Sequence, residues 1–450
     1  MNLILIILST FFVFFCFDAP SKVSNTSNVI VLLMHFALIV ISYKIIRVEL
    51  SGNFTKYWKR FYSFFLVGYI ISLCILAFLW TPYLDKTYST GWDAFDPVKY
   101  YALVNDMVSG LNVTETEMFP VLYLYYAEME LFGVNPYIPL FFNQLFFLYA
   151  VLILAKYLNE NTPNDIKNYA WLLLIPEALY FNVTSSKDVI CMICSVIIFV
   201  HSNRIIQKKY DLSNVIIIVG TLGVMFFART SMAIMAFVCV IASFLITQRL
   251  NRSMILLIVI VIAIMGLGVV LSERLGFVIT VSDLSETIAN ELSGDMSDAI
   301  ELKDQQSDAF ANKLIPHNTL EFLFYGVIRS VVYALISPGD FVKLFNFEKF
   351  NQNYMCYLSS FLMTLSWPIL IFSTIKKHNR KNRKFSSLLI VVVLYVLAVG
   401  MFNPLMIHRR YRIVYDILFF ALAIQSIILL GNHKRKTVTI MIDNDGYNNL

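Results

Sequence analysis

Charge is what this chain has least of. Asp, Glu, Lys and Arg make up 14% of its 450 residues, against 58% hydrophobic, and the mean hydropathy is +0.69. A water-soluble domain of this length needs far more polar surface, so that class is excluded. A secreted disulfide framework is missing too: Cys16, Cys74, Cys191, Cys194, Cys239 and Cys356 all fall in or beside apolar runs. Cys191 and Cys194 form a C-x-x-C, but one helical turn apart inside an apolar run, where packing is the expected role. The histidines are scattered without ligand spacing, so neither a metal nor a cofactor is expected. The net charge of +5 is modest and sits in a few loops; it speaks to topology and excludes a nucleic-acid partner. The opening "MNLILIILSTFFVFFCF" lacks a basic leader and a small-residue cleavage site, and is expected to be a retained first span.

What the chain does have is apolar runs. They fall at 3–17, 29–46, 61–80, 137–157, 168–183, 188–202, 214–228, 231–247, 254–271, 355–375, 386–402 and 412–430, long enough or nearly so to cross a membrane, several of them shorter than the ideal of roughly twenty residues. The expected fold is a single all-α polytopic membrane domain, 1–450, of about twelve transmembrane helices. Lys and Arg orient it. Lys44, Arg47, Lys56, Lys59 and Arg60, then Arg204, Lys208 and Lys209, then Arg249 and Arg252, then "KKHNRKNRK" at 376–384 and "HKRK" at 433–436 all fall on one face when both termini are cytoplasmic. The tail 431–450 is then cytoplasmic. The long loops 81–136 and 272–354, both acidic, lie outside.

This threading requires that "LEFLFYGVIRSVVYALI", 320–336, does not cross. Arg329 in its middle and "SPGD" after it fit a re-entrant or interfacial helix. The cluster His408, Arg409, Arg410 and Arg412, in "NPLMIHRRYRIVYDILFF", then faces outward against the charge rule. Cations kept there call for a compensating anion, in the protein or in a ligand.

Other chemistry is expected on the same face. The first long loop contains two amphipathic helices, about 96–109 and 117–132. Asp96 before Pro97 has the pattern of a helix cap. Asp93, between Trp92 and Phe95, has no such explanation and is placed to act as a general base toward a hydroxyl. Lys187 and Asp188 begin a span after a very short turn. Asp188 fits ordinary capping; Lys187 opposes the helix dipole, or else forms part of an anion site with it. Arg229, in "MFFARTSMAIMAF", separates two spans almost without a loop, either as an anion ligand or paired with a nearby carboxylate. Lys187, Arg229, Arg329, Arg409, Arg410 and Arg412 together suit an anionic lipid headgroup, because Arg binds phosphate through several hydrogen bonds at once.

Several stretches resemble known families. "DAFDPVKYYALVND" followed by "FGVNPYIPLFFNQL" resembles the GT-C class of membrane glycosyltransferases. "SSKDVI", "FFARTSM", "IRSVVYALISPGDF" and "HRRYRIVYDILFF" resemble bacterial polysaccharide polymerases, including O-antigen polymerases. The likeness spans residues 61–430 in order through short motifs. It departs in two places: two spans precede the span before the first long loop, and no proline follows the arginines. The resemblance implies polymerisation of polyprenyl-diphosphate-linked oligosaccharide units at the outer face of a bacterial inner membrane. Asp93 or Asp96 is implied as the catalytic carboxylate, and a chain-length regulator or a flippase as further partners. The alternatives are a GT-C transferase using a polyprenyl-phosphate sugar and a flippase or transporter of the lipid-linked glycan. The sequons at Asn25, Asn53, Asn112 and Asn182 are accidental on the bacterial reading.

Overall fold

The computed structural model describes residues 2–17, 23–90, 96–111, 121–206, 212–246, 354–376, 382–402 and 408–447, with Ile328 and Leu344. Asp93, Arg329, the run 254–271 and, apart from Ile328, the run 320–336 lie outside these residues. The side chains of Asp96, His408, Arg409 and Arg410 do so as well, although their backbone is helical.

Every regular element among the described residues is helical. In chain order these are α1 (Asn2–Phe14), α2 (Asn28–Glu49), α3 (Trp58–Ile75), α4 (Thr81–Thr90), α5 (Asp96–Val108), α6 (Leu122–Phe132) and α7 (Tyr137–Leu158). There follow α8 (Pro176–Asn182), α9 (Lys187–Ile206), α10 (Leu212–Ala228), α11 (Thr230–Ile246), α12 (Tyr354–Ile375), α13 (Arg383–Phe402) and α14 (His408–Tyr447). Among the described residues six helices are long and apolar enough to cross a membrane: Asn28–Glu49, Gly52–Thr87, Tyr137–Leu158, Lys187–Ile205, Tyr354–Ile375 and Arg412–Gly431. Among the described residues the protein is all-helical, with the long apolar helices of a membrane protein. Helix α9 is its axis, with 89% of its apolar window buried against 39% for α2 on the periphery.

Two elements run past the apolar pattern. Helix α3 does not stop at residue 80; a π-helical turn, Leu76–Trp80, carries it directly into α4. Helix α14 continues through 431–447, where a separate tail was expected, because no proline follows residue 404 to end it.

The run 168–183 is not one helix. Residues Pro163–Leu174 form a 3-10 helix, Ile175 is extended (ψ 117°), and Pro176 then starts the seven-residue α8. Pro176 lacks an N–H and disfavours a helical conformation at Ile175, which accounts for the break. Irregular backbone inside a bundle must find its hydrogen bonds from neighbours. Ser72 of α3 donates to Leu179 O at 3.5 Å, and Gln144 of α7 donates to Ser72 Oγ at 2.8 Å. Asn143 Nδ2 donates to the carbonyls of Asn182 and Thr184, both at 3.2 Å. Gly68 of α3 permits the close approach: a Cβ there would lie 2.5 Å from Leu173 O.

The bundle has two distinct ends. At one, Lys156 pairs with Glu49 at 3.3 Å, Lys384 with Glu160 at 3.2 Å, Lys56 donates to Asn164 at 2.9 Å and Ser387 donates to Asn203 at 2.6 Å. This is the basic end. At the other, residues 23–25 meet 133–135: Asn25 N–H donates to Val134 O at 2.9 Å, and Asn135 Nδ2 donates to Ser24 Oγ at 2.9 Å. Gly133 turns there at φ +89°, and a Cβ would strike Thr26 Oγ1 at 2.6 Å. Between the ends, His35 joins four helices: its ring is hydrogen-bonded to Tyr69 at 2.8 Å and Thr10 at 3.1 Å, and the Tyr69 and Tyr137 hydroxyls are bonded to each other.

Candidate functional site

The break between α8 and α9 lies at the end opposite the basic one. Ser186 caps α9: Asp188 N–H donates to Ser186 Oγ at 3.1 Å, and Ser186 Oγ donates in turn to Asp188 Oδ2 at 3.2 Å. This fixes a carboxylate in the first helical turn, where the dipole favours it. The other oxygen, Oδ1, meets Arg229 Nη1 at 2.7 Å. Arg229 is the non-helical residue between α10 and α11. Its N–H donates to Met225 O at 2.7 Å, and its carbonyl accepts from Met232 and Ala233 N–H at 3.1 Å each. Of the two readings left open for Arg229, the geometry supplies the carboxylate partner. The Asp188 side chain is fully enclosed while that of Arg229 is 14% exposed, so the pair is open on its cationic side.

Lys187 stands beside this pair, with Nζ 5.5 Å from the ring centroid of Tyr100. The ring face offsets what the helix dipole disfavours. The contact also draws α5 against the start of α9, and residue 96 stands one turn before Tyr100. Helix α6 reaches the same break, where Tyr125 OH donates to Ser186 O at 2.9 Å. Both helices of the first long loop therefore pack over the turn that carries Lys187 and Asp188.

Glu128, on α6 one turn beyond Tyr125, escaped the sequence reading. It is 6% exposed, and its Oε2 has no hydrogen-bond partner. Burial pushes its carboxyl up to about 9, so it is protonated at neutral pH. The hint in the sequence is the pair of acids, Glu128 and Glu130, in the otherwise apolar "LYLYYAEMELF".

Arg412 is buried a little deeper. Nη2 meets Glu177 Oε2 at 2.5 Å and Nη1 donates to Ser360 Oγ at 2.6 Å. A second bond from Nη2 reaches Cys356 O at 3.3 Å, and Nε lies 3.7 Å from Asp416 Oδ1, four residues on. The residue is 1% exposed. The anion that compensates Arg412 thus comes from the protein, from two carboxylates the sequence reading did not single out. Asp416 is visible in hindsight through its i,i+4 spacing from Arg412. Glu177 is visible as an acid just after the proline that breaks an apolar run.

Helices α9 and α14 run side by side from this end toward the basic one. Ser195 Oγ donates to Val414 O at 2.6 Å, which sets residues 408–410 level with the first turns of α9. The site thus assembles Lys187, Asp188, Arg229, the start of α5 and the start of α14, with Arg412 enclosed behind them. Among the described residues no three His, Cys, Asp or Glu side chains stand close enough to hold a metal ion. Comparison with known proteins adds nothing to this picture: no family model matches the chain, and no significant match appears among curated proteins or solved structures.

Proposed function

We propose that this protein is a bacterial inner-membrane glycosyltransferase of the polysaccharide-polymerase kind, elongating polyprenyl-diphosphate-linked oligosaccharides at the outer face. The observation that carries this reading is the packing of both first-loop helices over the cationic start of α9, through Tyr100 on Lys187 and Tyr125 on Ser186. That packing sets the start of α5, whose first residue is Asp96, beside Lys187; Asp93 precedes it by three residues in the chain. In the proposed reaction an acceptor hydroxyl attacks the anomeric carbon, and its proton passes to Asp93 or Asp96. The bond to the lipid diphosphate breaks, and Lys187, the exposed side of Arg229, and His408, Arg409 and Arg410 stabilise the departing anion. Arg329 belongs to the same outer face. The proposal includes twelve spans, a non-crossing 320–336 and both termini in the cytoplasm.

A transporter of the lipid-linked glycan is the second reading, favoured by one observation. A discontinuous helix with a buried acid, Glu177, is a feature of membrane transporters. Purified protein in vesicles with lipid-linked repeat units separates the two. Elongation without another enzyme supports the transferase, and translocation without elongation overturns it. In cells, Arg410→Ala at normal protein level is expected to abolish long-chain glycan, and unchanged ladders refute the diphosphate site.

A further inference from the structure

We propose that Glu177 and Asp416 bind one exchangeable proton between them, forming a proton site inside the bundle that is independent of glycosyl transfer. The Nε–Nη2 edge of a guanidinium ordinarily receives one carboxylate through both nitrogens. In this protein the same edge of Arg412 receives two, Glu177 at Nη2 and Asp416 near Nε. The two carboxyl groups are thereby brought against each other.

Ionised carboxylates only accept hydrogen bonds. Consistent with that, Glu177 Oε1, Asp416 Oδ1 and Asp416 Oδ2 all lack a hydrogen-bond partner. With both ionised, the trio has two negative charges against one positive, fully enclosed, an arrangement that low-dielectric surroundings penalise heavily. A proton on one oxygen makes that acid a donor to the other and brings the trio to neutrality. No further charged side chain, among the described residues, pairs with either carboxylate.

The surroundings are those of a site rather than of a simple ion pair. Ser359 lies beside Asp416 and is fully buried, so its hydroxyl can bond whichever oxygen lacks the proton. Tyr415, next to Asp416 on α14, also faces both carboxylates, and the Cys356 carbonyl on α12 accepts from Arg412 between them. Glu177 itself stands at the broken start of α8, where the backbone is already interrupted at Ile175. Intramembrane acids on discontinuous helices are the usual place for proton traffic.

Infrared spectroscopy of the purified full-length protein tests this in a Glu128→Gln background, which removes the carboxyl of the other neutral buried acid found among the described residues. At neutral pH one protonated-carboxyl band is expected, and carboxyl isotope labelling of Glu or Asp should shift it without any further substitution. Glu177→Gln and Asp416→Asn should each abolish it, because the remaining carboxylate then pairs one-to-one with Arg412. Absence of the band, failure of both labels to shift it, or its survival in both variants overturns the proposal. So does its loss on adding sodium at constant ionic strength, since the site would then belong to a metal ion.

Discussion

The pair between Asp188 and Arg229 makes a prediction that can be worked out in both directions. Asp188→Asn keeps the bonds with Ser186 and the cap of α9 but leaves the Arg229 guanidinium without its carboxylate. Arg229→Gln keeps the backbone bonds that end α10 and begin α11 but leaves an enclosed carboxylate without its cation. Breaking a buried pair from one side destabilises by about 3–5 kcal/mol. Arg229 is 14% exposed and Asp188 fully enclosed, so the two losses differ. Asp188→Asn should fall near the low end, because water reaches the Arg229 side chain, and Arg229→Gln near the high end. The double variant replaces an ion pair by two amides that can bond each other. It should lose about 1–2 kcal/mol, well short of the sum of the single losses. Unfolding of the four proteins in mixed micelles, followed by helical circular dichroism, gives the coupling energy. Additivity within about 0.5 kcal/mol refutes the pair as a structural unit. A larger loss for Asp188→Asn than for Arg229→Gln refutes the assignment of the open side to the arginine.

Arg412→Ala strands two enclosed carboxylates and should destabilise by about 3–5 kcal/mol, read in the same micelle assay. Glu128 binds a proton in the folded state up to about pH 9 and loses it near pH 4.5 when unfolded. Stability should therefore fall as pH rises between those values, by about 1.4 kcal/mol per unit at most, and Glu128→Gln should flatten that slope. Tyr69→Phe leaves His35 and Tyr137 each short of a buried partner; a loss of about 1–3 kcal/mol is expected, and an unchanged melt refutes the network.

The membrane class and most helices are legible in the sequence, because a long apolar run can bury or expose its side chains but must close its own backbone bonds. Runs 137–157, 214–228 and 355–375 correspond to α7, α10 and α12 within a residue or two at each end. Run 168–183 reads as a span and folds as two short pieces, because hydropathy does not register where a proline and its neighbours redirect the backbone. For the site, Lys187, Asp188 and Arg229 are brought to one place, at the helix starts where the sequence put them. What the sequence withheld was pairing. Glu177 is 235 residues from Arg412, and no local pattern links an acid after Pro176 to a basic cluster at 408–412. A cation read alone looks available to a ligand; only the fold reveals that Arg412 already has two carboxylates.

The fold also constrains the crossing on which the topology turns. Helix α11 begins just after Arg229, which pairs with Asp188, and its Ala236 and Cys239 line one cavity with Ser202, Asn203 and Tyr395 on the way to the basic end. Helix α12 begins with Cys356 and Ser360 at Arg412, near the opposite end. The chain therefore leaves α11 toward one end of the bundle and enters α12 from the other, which takes an odd number of crossings between them. On the proposed threading 254–271 makes that crossing and 320–336 does not cross. Reporters fused after Gly110 and after Ser337 should accordingly report the same side of the membrane, and one fused after Lys381 the other. If the Ser337 fusion sides with Lys381, the chain has to cross once more within 338–353. That stretch holds sixteen residues with Lys343, Glu348 and Lys349 among them, fewer and more charged than the roughly twenty apolar residues a spanning helix takes. Such a result would break the link between the basic end and the charge rule, and with it the placing of residues 408–412 on the outer face.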